Sequence, residues 1–429
     1  MPKGSRRVAI IGGLRTPFVK ANTVFNDLTA LDLGRIVVQE LVQRYDLNPN
    51  DIDELVFGQV VPSLTASSIA REVVLLSGLP KRVQTHTVMR ACATSIQSAI
   101  SAGHSIADGS ADVVIAGGTE SMSDPPIFTS RPLAHALVAA SKAKTLPAKL
   151  KPFQKLSGKD LLPVPPAIAE YTTGQSMGES AEKMAKENGI SRREQDEISL
   201  ASHHNAAKAW KAGYFKDEVM SVAIPPKYKD IATTDNLVRE DTSLEALSAL
   251  KPAFDRRYGT VTAGNASPLT DGAAALILMS EEKAKALGYE ILGFIKSYAF
   301  AATDPAEQLL QGPAYAAPLA LDRAGMKLKD IQLIDMHEAF AAQVASNIQA
   351  FESKKFAEKL GRSEPLGEVN RSILNVNGGS ISLGHPFAAT GARILHQSLR
   401  ELKRRNLSTG LVTVCAQGGQ GAAVVLERE

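Results

Sequence analysis

Cysteine is scarce in this chain. Two thiols, Cys92 and Cys415, serve 429 residues, which is too few for a disulfide framework and suits a reducing compartment where both stay free. Charge of one sign is not in excess either. The 48 Lys and Arg against 45 Asp and Glu leave a formal net charge of +3, too little to imply a nucleic-acid partner, and no zinc-ligand spacing or basic–aromatic module supports one. Long hydrophobic runs are missing: nothing approaches the roughly eighteen apolar residues that a membrane span needs, so a soluble, cytoplasmic protein is expected. The basic start is followed by only Val8-Ala9-Ile10-Ile11 before Gly12-Gly13, which reads as a first strand and not as a secretory signal. What remains is ordinary globular material, 44% hydrophobic and 22% charged, and the length allows two or three domains around a large core.

Two glycine-rich stretches near the end of the chain each carry one reactive side chain. Asn377-Gly378-Gly379-Ser380-Ile381-Ser382-Leu383-Gly384-His385-Pro386 presents an imidazole, and Val412-Thr413-Val414-Cys415-Ala416-Gln417-Gly418-Gly419-Gln420-Gly421 presents a thiol. Glycine lets bare backbone approach a ligand and aim N–H groups at developing negative charge. The other thiol, Cys92, falls between a strand-like segment, Thr85–Arg90, and an Ala/Ser/Ile-rich helix from Ala93 to Ala107. A helix N-terminus can lower a thiol's pKa from its free value of about 8.5. A buried spectator cysteine is the competing reading, and the turn alone leaves both open.

The rest of the chain alternates short apolar strands with helices, the pattern of an α/β fold. Strands are expected at Val8–Ile11, Leu55–Phe57 and Asp112–Ile115, and helices at Thr29–Tyr45 and Ser67–Ser77. From about Ser121 to Leu250 the character changes. Prolines cluster, and Arg131, Lys142, Lys144, Lys149, Lys151, Lys155 and Lys159 occur with no acid between Asp124 and Asp160. Apolar Leu133, Leu137, Val138, Leu146 and Leu150 are interleaved with them. This reads as an insertion whose amphipathic surface faces a membrane, a partner or an anionic ligand, with a solvated flap as the alternative. Gly178–Asn188 and Arg192–Lys211 are helical patterns within it. The domain expectation is therefore 1–120 with 251–288 as one half, 121–250 as the inserted loop domain, and 289–429 as a second half.

That second half repeats the first at low similarity. Lys329–Met336 parallels Asn50–Phe57, and the helix Ala388–Arg404 leading to the strand Gly410–Val414 parallels the helix after Cys92 and its strand. Where the repeated strand ends stands His337-Glu338-Ala339-Phe340-Ala341. Ligands of α/β sheets bind outside the carboxyl ends of strands, so Cys92, His337 and Cys415 are candidates for one site. A lone histidine there would more often be structural.

These residues carry a resemblance. Cys92 in its small-residue turn, His337-Glu338-Ala339-Phe340, Gly384-His385-Pro386 and the glycine-rich Cys415 loop, in this order, resemble the thiolases over essentially the whole chain. Gly259–Ser267 and Ser176-Met177-Gly178 resemble that family's acyl-CoA-binding loops. His337 where many thiolases have Asn, Gln417 where many have Gly, and Ser176 where short-chain biosynthetic thiolases have His point toward the thiolase subunit of bacterial fatty-acid β-oxidation complexes.

The resemblance implies a thiolase fold of two duplicated α/β halves in a layered αβαβα arrangement with mixed sheets. It implies a degradative 3-ketoacyl-CoA thiolase in which Cys92 is the nucleophile, His385 its base, Cys415 the second acid–base group and His337 an oxyanion donor, with backbone N–H groups of Cys92 and Gln417 holding a second oxyanion. Met177, Ser267 and Phe340 are expected along the substrate path, Glu338 as a binding-site residue that orients its neighbours and a water, and Arg239 at the nucleotide end of CoA. No metal or cofactor is implied, CoA being a substrate. The implied partner is an α-subunit with enoyl-CoA hydratase and 3-hydroxyacyl-CoA dehydrogenase activities around a homodimer core, with peripheral membrane contact through the insertion. The rivals are a biosynthetic acetoacetyl-CoA thiolase, a ketoacyl synthase, which would need histidine at Cys415, and a catalytically silent acyl-CoA-binding subunit.

Overall fold

A computed structural model describes residues 6–166 and 168–429. Its strands are β1 (Val8–Arg15), β2 (Val19–Lys20), β3 (Glu54–Gly58), β4 (Gln84–Val88), β5 (Val113–Glu120), β6 (Val222–Ala223), β7 (Ile231–Ala232), β8 (Thr270–Ser280), β9 (Gly293–Ala302), β10 (Leu333–Met336), β11 (Thr409–Ala416) and β12 (Gln420–Glu427). The main sheet runs β10-β11-β12-β9-β1-β8-β5-β3-β4, with β2 beside β8.

The duplication is visible in that order. In the first half β3 is parallel to β5, and β5-β8-β1 continue antiparallel. In the second half β10 is parallel to β11, and β11-β12-β9 continue antiparallel. Even β4, parallel to β3 at the outer edge, has a vestige opposite β10 in the parallel bridge between Ile334 and Leu374. The halves meet where β1 pairs antiparallel with β9 at Ala9–Phe294 and Ile10–Gly293. This short ladder joins the mixed sheets of the two halves into one continuous sheet, a pairing across nearly 300 residues that no local pattern announces.

Layering follows from side chains alternating along buried strands. Val8 and Ile10 of β1 share a core with Ile96, Ile100, Leu395 and Leu399, whereas Ala9 and Ile11 share another with Leu33, Val37 and Leu41. In β12, Val424 and Leu426 belong to the first core and Ala423 and Val425 to a third, with Leu321, Val344 and Ile348. Thus the helices Thr94–Ala107 and Thr390–Arg405 form a central layer, and Ala30–Arg44 with Gly312–Ala324 and Ala341–Glu352 cover the opposite face. Thr29 caps the outer helix of the first half in a capping box with Asp32, satisfying N–H groups that the first turn leaves orphaned.

Between β5 and β8 the chain leaves the sheet. Arg131–Lys142, Leu146–Leu150, Met177–Glu187 and Arg192–Lys211 are helical there, and β6 with β7 makes a separate two-stranded pair. Leu137, Val138, Leu146 and Leu150 are exposed among the lysines.

Candidate active site

The two central helices begin side by side, and that contact assembles the site. The Ala392 N–H donates to Ser95 Oγ at 2.8 Å. A Cβ on Gly391 would stand 2.6 Å from the Ile96 nitrogen, so only glycine allows the helix starts to come this close. Cys92 lies just before one helix and His385 just before the other. Ala91, immediately preceding the thiol, is held at φ 44°, a left-handed conformation that costs a non-glycine residue about 1–2 kcal/mol. His337 follows β10 and Cys415 sits in β11, the neighbouring parallel strand. All four side chains therefore gather at the carboxyl ends of the parallel strands and the starts of the central helices.

Distances confirm the convergence. One donor atom each from Cys92, His337 and His385 lies within 4.8 Å of the others, and the two imidazole centroids are 4.1 Å apart. Cys415 is wholly buried beneath them, in a cluster with Met177, Ala339 and Phe340.

The hydrogen-bond network assigns the two imidazoles opposite tautomers. Thr390 gives its hydroxyl proton to the Pro386 carbonyl at 3.0 Å, so at 2.7 Å its oxygen accepts from His385 Nδ1–H. His385 Nε2 is then a free lone pair. Ser380 Oγ accepts a hydrogen bond from Arg393 Nη2 at 3.0 Å, and among the described residues His337 Nδ1, at 2.8 Å, is the one acceptor for its own hydroxyl proton. His337 thus carries its proton on Nε2. Among the described residues neither Nε2 has a hydrogen-bond partner. One ring is shaped to take a proton and the other to donate a hydrogen bond.

Burial keeps the resting site neutral. It lowers His385 to about 3, helped by the Arg393 charge, and holds His337 well below its ordinary value, helped by His385 and Arg393. Burial likewise pushes the Cys92 thiol up to about 12, against the opposing effect of the Gln417 and Cys92 backbone N–H groups. The shift runs opposite to what a helix terminus can do, because taking the thiolate out of water dominates. Burial and the nearby Cys92 sulfur raise Cys415 as well. Both sulfurs are resting thiols that need a base at the moment of reaction.

A cleft of about 440 Å³ opens onto Cys92 and His385. Met177, Ser267, Phe340 and Gln417 line it, with apolar Met89, Met122, Ile168, Leu269 and Phe387. The strip that carries Ser267 is stitched to the His337 segment, since the Ser267 N–H donates to the Ala339 carbonyl and the Ala341 N–H to the Asn265 carbonyl, both at 2.9 Å. The Gln417 side chain turns away from the thiols and donates to the Ala169 carbonyl at 2.7 Å, tethering the inserted segment to the cleft rim.

Two further residues named from the sequence, Glu338 and Arg239, lie outside the cleft lining. Glu338 is buried, accepting from Ser202 Oγ and Asn375 Nδ2 at 2.6 Å and from the Ile381 N–H at 3.3 Å. Its carboxylate joins the Ser202 helix, Asn375 and the Ser380 turn, orienting its neighbours, and does not line the cleft; a Cβ on Gly379 would meet its carboxyl carbon at 2.2 Å. Arg239 is exposed, with its backbone N–H donating to His203 Nδ1 at 3.2 Å, and it lies outside the cleft lining. The residues that sequence reasoning did not single out are Ser380, Thr390 and Arg393. Arg393 is buried, with Asp335 3.9 Å away; its setting beside Ile394 and Leu395 on an apolar helix face was the available signal.

Comparison with known proteins bears on both halves. The family described as Thiolase, N-terminal domain matches residues 8–282, and Thiolase, C-terminal domain matches residues 289–428. The chain is 55% identical over 424 residues to a 3-ketoacyl-CoA thiolase of Shewanella sp. (strain W3-18-1), covering 99% of this chain and 97% of that one. A 3-ketoacyl-CoA thiolase of Pseudoalteromonas translucida (strain TAC 125) is 55% identical over 427 residues, with 99% and 98% covered. Among solved structures, the Bacillus anthracis acetyl-CoA acetyltransferase superposes with a TM-score of 0.84 at 33% identity over 99% of this chain and 100% of that one. Human mitochondrial 3-ketoacyl-CoA thiolase does so with a TM-score of 0.82 at 31% identity over 98% of each. Sequence and fold agree along the full length of the repeat: the chain belongs to the thiolase family.

Proposed function

We propose that this thiolase is a degradative 3-ketoacyl-CoA thiolase, cleaving a 3-ketoacyl-CoA with CoA to acetyl-CoA and an acyl-CoA two carbons shorter. The observation that carries the mechanism is a pair of imidazoles, each bonded at Nδ1 to a hydroxyl and unpartnered at Nε2 among the described residues, beside a part-exposed thiol. Cys92 Sγ attacks C3 while its proton passes to His385 Nε2, and the thioester is the natural product of a nucleophile that also leaves well. The C2–C3 bond breaks and its electrons form the acetyl-CoA enolate, whose oxygen receives hydrogen bonds from His337 Nε2–H and the newly protonated His385. Cys415 Sγ–H delivers a proton to C2. In the second half the Cys415 thiolate takes the proton of incoming CoA, whose sulfur attacks the acyl carbon. Backbone N–H groups of Cys92 and Gln417 hold that oxyanion, and Cys92 leaves, recovering its proton from His385. Each proton donor is regenerated. Because the Gln417 donor is main chain, a side chain in place of glycine is compatible with the role.

The apolar cleft, the 55% identity to proteins named 3-ketoacyl-CoA thiolase and the presence of His337 favour long 3-ketoacyl substrates over acetoacetyl-CoA synthesis. Association with an α-subunit carrying hydratase and dehydrogenase activities, around a homodimer core in the cytoplasm, is part of the same reading. Its support is the exposed basic and apolar segment 131–159, which would contact the partner or a membrane surface; no helix among the described residues is long and apolar enough to cross one. The test is CoA-dependent loss of 3-ketohexadecanoyl-CoA and of acetoacetyl-CoA. Turnover of the long substrate is expected. Turnover of acetoacetyl-CoA alone would favour the biosynthetic enzyme, and turnover of neither would leave a binding module.

A further inference from the structure

We propose that Cys92, His337 and His385 also form a reversible inhibitory zinc site, in which the ion occupies the place of the reacting carbonyl. The donor set is the first argument. A thiolate and two imidazoles suit Zn²⁺ and not the hard cations Mg²⁺ or Ca²⁺, which select oxygen. Geometry is the second. The three donor atoms lie within 4.8 Å of one another, and a tetrahedral ion with its usual bond lengths needs them about 3.3–3.6 Å apart. The trio must therefore draw closer on binding, and Cys92 is its one part-exposed member.

The surroundings supply the third argument. Both Nε2 atoms are buried and unpartnered among the described residues. Both Nδ1 atoms are already bonded to hydroxyls, Thr390 Oγ1 at 2.7 Å and Ser380 Oγ at 2.8 Å. An outer hydrogen bond at the far nitrogen is how metal-binding histidines are oriented. The open cleft above Cys92 gives the ion an entry path and leaves a fourth position for water. On binding, Cys92 releases one proton to solvent as its sulfur joins the ion. His337 moves its proton from Nε2 to Nδ1, and the Ser380 hydroxyl rotates so that its oxygen accepts this N–H while its own proton turns away from the ring. No electron is transferred, so no redox partner is needed. Nucleophile and base are both consumed as ligands, which makes the ion an inhibitor.

This site does not depend on the reaction assigned above, and its test reads binding directly. Metal-free full-length protein is titrated with zinc chloride by calorimetry, and Cys92 alkylation by iodoacetamide is followed by mass spectrometry with and without zinc. One ion per chain is expected, Cys92 is protected, and a chelator restores alkylation. Zinc-edge absorption should show one sulfur and two imidazole nitrogens. C92A should weaken this binding by more than the roughly 10–100-fold that loss of an outer-shell partner costs, while C415A retains it. Unchanged affinity in C92A, unprotected Cys92 in the zinc-loaded wild type, or loss of binding in C415A would each overturn the proposal.

Discussion

Replacing Ser380 by alanine removes the one hydroxyl that couples Arg393 to the His337 ring. In the wild type that hydroxyl donates to Nδ1 and so holds the proton on Nε2, the nitrogen with no partner among the described residues. A neutral hydrogen bond of this kind is worth about 1–1.5 kcal/mol net. If it serves to hold His337 in the donor tautomer, S380A lowers kcat for 3-ketoacyl-CoA cleavage by about tenfold. H337A removes the donor itself and costs about 10²–10³-fold. Since Ser380 acts on the reaction through His337, adding S380A to H337A should cost nothing more in kcat, a coupling of about 1.4 kcal/mol in the double-mutant cycle. Stability behaves differently. In both backgrounds S380A deprives the buried Arg393 of an acceptor, a loss of about 1.5–3 kcal/mol visible in denaturant titration. Steady-state kinetics on the four proteins, well below their melting temperatures, make the comparison. Additive kcat effects, or full activity in S380A, would refute the tautomer argument.

Two further predictions concern the thiols. C415A should still acylate Cys92 in a single turnover with substrate, because Cys415 acts after the attack, yet lose about 10²–10⁴-fold in CoA-dependent turnover, the usual contribution of a positioned acid–base group; equal loss of both would contradict its role. With its pKa raised to about 12, Cys92 stays protonated through pH 6–9, so the thiolate absorbance difference between wild type and C92S should be flat there. A sigmoid rise centred below pH 8 would mean a resting thiolate–imidazolium pair instead.

Much of this site was legible before any coordinates. Cys92, His385 and Cys415 stood out because reactive side chains among glycines at strand–helix junctions are chemically informative wherever they lie. The duplication was readable because Asp-Ile-Asp-Glu-Leu-Val and Asp-Ile-Gln-Leu-Ile-Asp repeat a helix-to-strand junction. Hydroxyls and a guanidinium were harder. Ser380 is one small residue in a Gly/Ser-rich run, and Arg393 on a helix reads as solvated until the neighbouring sheet and the Ser380 turn enclose it. For Glu338 the orienting role was legible and the partners were not: its hydrogen bonds come from the Ser202 and Asn375 side chains and the Ile381 N–H, brought in from a distant helix, a loop and the Ser380 turn. The direction of the Cys92 shift was also hidden, since a helix terminus is local whereas the burial that outweighs it comes from both halves of the fold.

The most direct test of the account is to incubate the protein with a 3-ketoacyl-CoA in the absence of free CoA, quench, and map the adduct by peptide mass spectrometry. The shortened acyl group should appear on Cys92 and disappear on adding CoA. An unmodified Cys92, or an acyl group on Cys415 instead, would contradict it.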